Sequence, residues 1–165
     1  MKDEYEQVLG LHPCSRGFGW IFFETPGAPF DWGTADIRGG DNARALAQIT
    51  SILTKYQPGV LALEEFDGKV SRRRPRIRAL YRQIARDAEQ RGTTIRIYSR
   101  EDIRQVFPGA STRQEIADRI AKKIVPLRPR LPKPRKIWDS ERSNMALFSA
   151  AACALTYFAE RDPPM

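Results

Sequence analysis

Two apolar runs, Gln7 to Leu11 and Gly17 to Phe23, are separated by the short turn "HPCSRG". A run, a turn and a second run make an antiparallel hairpin. A third alternating run, "FDWGTADI" (Phe30 to Ile37), follows the loop "TPGAP". After that the pattern changes period. Ala45, Ile49, Ile52, Leu53 and Tyr56 fall at helical spacing, so Asp41 to Tyr56 is expected to be a helix, with Asp41 or Asn42 as its cap. "VLALEEF" (Val60 to Phe66) is a short apolar run ending in two glutamates, the mark of a buried central strand. A second helix carries Ile77, Leu80, Tyr81, Ile84 and Ala88 and runs through Gln90; "TTIRIYS" is a fifth strand. A hairpin-led sheet that continues through crossover helices constrains the chain to an α/β fold with helices on both faces.

The remainder is helical. "EDIRQVF" is a short helix, and "STRQEIADRIAKKIV" opens on a Ser/Thr cap with Ile116, Ile120 and Ile124 on one face. "PLRPRLPKPRK" reads as an extended, basic connector. Asp139 or Ser140 caps a last helix to about Phe158. With 165 residues, no internal repeat and no second core, one domain is expected.

Charge points to the partner. The chain holds 28 Lys and Arg against 20 Asp and Glu, a net charge of +8. That balance favours polyanions, nucleic acid before an anionic membrane surface. The two cysteines, Cys14 and Cys153, make no disulfide framework and read as packed thiols. "MKDEYEQ" is too polar for a secretory leader, and "MALFSAAACALTYF" is too short and too rich in small residues to span a bilayer. The expected compartment is the cytoplasm, with no membrane partner.

The polar ends of buried strands are where α/β folds put their sites. His12 ends the first strand, Glu64 and Glu65 end the fourth, and Asp139, Glu141 and Asn144 open the last helix. Strands one and four become neighbours if the chain reverses in the sheet after strand three. The three groups then line one basin. Oxygen-rich basins hold hard divalent cations, and two such ions can drive phosphodiester cleavage. Only one of Glu64 and Glu65 can face the basin, because side chains alternate along a strand. Simpler roles exist for each: solvated charge for the glutamates, capping for Asp139, a helix-dipole acid for Glu141, a satisfied core histidine for His12. Glu141 and Asn144 share a helix face that continues through Met145 and Phe148.

Basic segments flank this basin on both sides. "KVSRRRPRIR" supplies Arg72, Arg73, Arg74 and Arg76, and "RPRLPKPRK" supplies Arg130, Lys133, Arg135 and Lys136. Gripped phosphates would make binding salt-sensitive. Trp20 is expected in the core; Phe18 is open between the core and base stacking.

These residues, in this order, resemble the RuvC-type Holliday-junction resolvases. "LGLHPCSRGFGW" is similar to that family's opening strand, which ends Asp-Pro-Gly-Ser-Arg before a Gly and an aromatic; Pro13, Ser15, Arg16, Gly19 and Trp20 match. "LALEEF" resembles its second acidic motif, with Leu63-Glu64 at Ile-Glu. "TIRIYSREDIRQVFPGASTRQEIADRIAKKI" resembles the fifth strand, short helix and Gly-containing turn, with Arg113 near the family's basic position and, like Arg16, a candidate phosphate contact. "ERSNMALFSAAACAL" resembles the closing helix, which begins Asp-x-x-Asp.

The resemblance spans about Val8 to Phe158 and implies the ribonuclease-H-like fold: a five-stranded mixed sheet, strands 1–3 antiparallel, strands 4 and 5 parallel to strand 1. It implies a divalent-metal-dependent endodeoxyribonuclease using Mg2+ or Mn2+ if active, acting on branched DNA, with a possible homodimer through the Arg-rich second helix. The family has acidic residues at four places where this sequence has His12, Glu64, Glu141 and Asn144, with Glu65 and Asp139 as nearby substitutes. Its first-strand aspartate touches both metals. Histidine offers one nitrogen lone pair and cannot bridge two hard cations. Glu64, Glu141, Asp139 and His12 are therefore the candidate ligands of at most an altered metal site. The competing readings are a non-catalytic binding subunit with a vestigial basin, and an actin-like domain using "HPCSRG" as a phosphate hairpin.

Overall fold

The computed structural model describes residues 6–67, 74–133 and 143–161. Five strands, β1 (Val8–Cys14), β2 (Gly17–Thr25), β3 (Ala28–Asp36), β4 (Val60–Glu64) and β5 (Thr94–Tyr98), form one sheet in the order β3-β2-β1-β4-β5. β1, β2 and β3 are antiparallel neighbours, while β4 runs parallel to β1 and β5 parallel to β4. This is the mixed sheet that the sequence resemblance implied. The helices are α1 (Asn42–Tyr56), α2 (Pro75–Gln90), α3 (Arg100–Val106), α4 (Arg113–Lys123) and α5 (Ser143–Arg161).

Period-two alternation divides the strands between two cores. Leu9, Leu11, Leu61 and Leu63 pack with Ile49 and Leu53 of α1 and Leu80, Tyr81 and Ile84 of α2. Val8, Val60 and Ala62 face the other way, against Ala117 and Ile120 of α4 and the small-residue surface of α5. Helices thus cover both faces. A Cβ on Gly19 would come 2.3 Å from the Ala146 carbonyl carbon, and one on Gly10 2.2 Å from the Ala150 oxygen. The absence of those side chains lets α5 lie directly on β1 and β2. The Tyr98 hydroxyl donates to Glu160 Oε2 at 2.8 Å and ties the far end of α5 to β5. Burial, followed by that bond, pushes the phenol's pKa upward.

Local chemistry explains the helix boundaries. Asp41 Oδ1 accepts from Ala43 and Arg44 N–H groups at the start of α1. Ser99 and Asp102 form a reciprocal capping box on α3, and Thr112 caps α4 through Glu115 N–H.

Three boundaries differ from the sequence expectation. β1 runs three residues past Leu11, to Cys14, and keeps His12 and Pro13 within the strand. Pro13 is tolerated because the ladder to β4 extends only to Gly10, leaving no bond on that side for the missing N–H to break. The loop at "TPGAP" shrinks to Pro26 and Gly27 between β2 and β3. The expected extended connector begins as a 3-10 helix, Val125–Arg130. Leu127 is fully buried there, and Arg128 Nε donates to the Ala121 carbonyl at 3.0 Å, closing the end of α4. Phe18 is a core residue, whereas Trp20 is half-buried with its ring 5.8 Å from that of Tyr56.

Among the described residues, no helix is long and apolar enough to cross a membrane.

Candidate functional site

The β1–β4 register pairs Val8 with Val60 and Gly10 with Ala62. Continued by two residues, it sets His12 level with Glu64. Both have the parity of Val8 and Val60, so both face the α5 side. The geometry agrees: His12 Nδ1 lies 3.5 Å from Glu64 Oε2, and both side chains are almost wholly buried. Glu65, one residue on, is exposed, and its N–H donates to the Tyr98 carbonyl at 2.8 Å. Alternation therefore selects Glu64 as the inward-facing carboxylate.

A buried carboxylate needs compensation. Arg113, the first residue of α4, supplies it. Its Nη2 donates to Glu64 Oε1 at 3.1 Å and Oε2 at 3.3 Å, and its Nη1 donates to Ser149 Oγ on α5 at 3.0 Å. Arg100 adds a second positive charge, with Nε 4.0 Å from Glu64 Oε1 and a largely exposed side chain. Two small cavities of about 30 Å³ each open beside Glu64. One is lined by Phe148, Ser149 and Ala152, the other by Arg100, Arg104 and Thr112. Each has room for about one water molecule.

The sequence-predicted residues separate into groups. His12, Glu64 and Arg113 meet, at the carboxyl end of β4 and beside α5. Asn144 is half-buried in the first turn of α5; Met145 and Phe148 on the expected helix face are buried. Arg16 and Arg74 are exposed at the same sheet edge, near the β1–β2 turn. Arg76 is half-buried there, its guanidinium donating to the carbonyls of Gly40 and Ser15 and to Asn42 Oδ1. Arg130 and Lys133 are exposed after α4. Arg72, Arg73, Arg135, Lys136, Asp139 and Glu141 lie outside the described residues.

Sequence reading missed Ser149 and Arg100. Ser149 left a faint trace, as a buried hydroxyl in the apolar run "ALFSAAACAL". Arg100 left none, since an arginine opening a short surface helix is ordinary.

Mg2+ or Mn2+ demands a shell of oxygen donors. Among the described residues, no cluster of three or more His, Cys, Asp or Glu side chains forms a metal site. Among the described residues the central donors are one imidazole and one carboxylate, and both oxygens of that carboxylate accept from a guanidinium. By itself this described set does not fit a pair of hard cations; Asp139 and Glu141, the other candidate ligands, lie outside the described residues.

No protein-family model matches the sequence. No curated protein matches it either. Solved structures do. RuvC from T. thermophilus in complex with a Holliday-junction substrate superposes with a TM-score of 0.70 at 18% identity, covering 95% of this chain and 96% of that one. A second Thermus thermophilus RuvC structure gives 0.69 at 19% identity, with the same coverage of 95% and 96%. Strand order, strand direction and near-complete mutual coverage together show that the chain has the RuvC fold, a ribonuclease-H-like α/β sheet.

Proposed function

We propose that this protein binds branched DNA along the carboxyl edge of its sheet and has little or no Mg2+-dependent nuclease activity. The fold it shares with a junction-bound RuvC and its net charge of +8 support the binding half. One observation carries the other half: an imidazole, His12, stands at the first-strand position with its Nδ1 3.5 Å from Oε2 of the buried Glu64. Two-metal cleavage needs a dense negative pocket that attracts cations. Here that imidazole brings no negative charge, and among the described residues the buried carboxylate beside it, Glu64, is bonded by Arg113.

The basic groups serve the binding half. Arg16 and Arg74, with the connectors carrying Arg72, Arg73, Arg130, Lys133, Arg135 and Lys136, supply cations for phosphates. Such contacts position a nucleic acid without reading its sequence. A homodimer fits this reading, since a two-fold protein matches a two-fold junction.

The test compares a labelled four-way DNA junction with linear duplex of the same length, first in chelator and then with Mg2+ or Mn2+. The proposal expects salt-sensitive binding that favours the junction, with the DNA intact after incubation with either metal. Equal affinity for duplex would remove the branched-DNA assignment. Efficient cutting in Mg2+ would remove the binding-only assignment.

A further inference from the structure

Beside the β1–β2 turn lies a cleft of about 540 Å³, distinct from the small cavities at Glu64. Arg16, Arg38, Arg74 and Arg76 line it, against the carboxylate of Asp36. Its size falls in the range of small-molecule sites, about 300–1,000 Å³, and exceeds what a lone inorganic anion fills. Arg16, Arg38 and Arg74 are exposed and come from three separate segments: the hairpin turn, the link after β3, and the residue before α2.

The walls are fixed to one another. Arg76 Nη1 donates to the Gly40 carbonyl at 2.7 Å and to Asn42 Oδ1 at 3.2 Å, and Nη2 donates to the Ser15 carbonyl at 3.3 Å. Asn42 Nδ2 returns a bond to the Arg76 carbonyl at 3.0 Å. Ile37 N–H donates to the Arg16 carbonyl at 2.7 Å. One arginine therefore braces the cleft, and the other three line it as exposed residues. Arginines on separate walls suit several phosphates in succession better than one.

Place in the fold completes the argument. β1 and β3 both end at this edge, where Cys14 faces Gly17 and Gly17 faces Asp36. β4 ends there too, at Glu64. The cleft, on the α1–α2 side of the sheet, and the His12–Glu64 pocket, on the α5 side, thus lie at the same carboxyl edge.

We infer that this cleft is a backbone subsite: Arg16, Arg38 and Arg74 take consecutive phosphates of a DNA strand that crosses this edge of the sheet, and Arg76 positions them. The inference rests on the DNA-binding reading above and adds Arg38 to it.

The test measures binding of the full chain to a four-way junction across about 50 to about 200 mM salt. The double variant R16A/R38A is expected to bind about tenfold more weakly, with the slope of log K against log salt reduced by about two. R16K/R38K, which keeps the charge, is expected to retain the wild-type slope. K55A/R91A is the control: it removes the same charge at the far ends of α1 and α2, about 20 Å from where these helices begin. It is expected to leave affinity and slope near wild type. A normal slope in R16A/R38A, or equal losses in both Ala doubles, overturns the subsite. A wild-type chain that binds no DNA overturns the DNA-binding reading itself, and the subsite with it. Circular dichroism checks that R16A/R38A folds, as expected for two exposed side chains.

Discussion

A single guanidinium nitrogen of Arg113 donates to both carboxylate oxygens of Glu64, at 3.1 and 3.3 Å, across 49 residues of sequence. Glu64 is almost wholly buried, and Arg113 is about two-thirds buried. Removing the arginine leaves a carboxylate with little water to solvate it. The Arg113→Ala protein is expected to lose about 2 kcal/mol, below the 3–5 kcal/mol of a fully buried pair because Arg113 reaches solvent and Arg100 remains nearby. Adding Glu64→Gln to that variant should recover part of the loss by removing the orphaned charge. Urea unfolding of both variants checks this; equal stability of wild type and Arg113→Ala means the pair contributes nothing.

His12 and Glu64 make a second prediction. An aspartate at position 12 sets two carboxylates close together in a buried site. Like charges there repel unless a cation separates them. His12→Asp should melt lower than wild type in chelator and recover when Mn2+ or Mg2+ is added. The wild-type melting temperature should not respond to either ion. Thermal denaturation with and without metal distinguishes the two.

Legibility followed the range of each interaction. Repeating apolar patterns exposed the strands, α1, α2 and α4, because burial on a sheet leaves a periodic trace. Alternation said that only one of Glu64 and Glu65 faces the basin, and the β1–β4 register was needed to say which. The end of β1 was misplaced because Pro13 reads as a break, and only the short ladder to β4 makes it harmless. The 3-10 helix after α4 was hidden by prolines, while its anchor Leu127 is one apolar residue among basic ones. Arg113 was read as a phosphate contact from its place in the motif order; its bond to Glu64 depends on how α4 packs, which no local pattern records. Arg76 was hidden likewise, since its bonds reach Gly40 and Ser15 across 36 and 61 residues.

Gly40 ties the arginine cleft to backbone geometry. It has φ +63°, and a Cβ there would come 2.6 Å from Cζ of Arg76. Gly40→Ala must strain the turn and push the brace aside. A loss of about 1 kcal/mol is expected from the conformation alone. Junction affinity should fall with it, since the cleft loses its fixed floor. A variant with wild-type melting and wild-type affinity would show that Arg76 does not hold the cleft.

Gly19 tests the seating of α5. Its absent side chain makes room for the Ala146 and Leu147 backbone, which no rotamer change can move. Gly19→Ala should cost at least about 2 kcal/mol, as overpacking at a rigid contact does. Because α5 carries Ser149, the Arg113–Ser149 bond should weaken as well. Chemical denaturation gives the cost, and amide exchange over residues 145–152 reports whether α5 has lifted.

The most direct measurement is cleavage of a labelled four-way junction in Mg2+ by wild type and His12→Asp side by side, with binding recorded in the same tubes. The account predicts that wild type binds the junction and leaves it intact, and that the aspartate variant cuts it. Mg2+-dependent cutting by wild type, abolished in Glu64→Gln, would contradict it by showing that an imidazole beside an arginine-bound carboxylate still supports the chemistry.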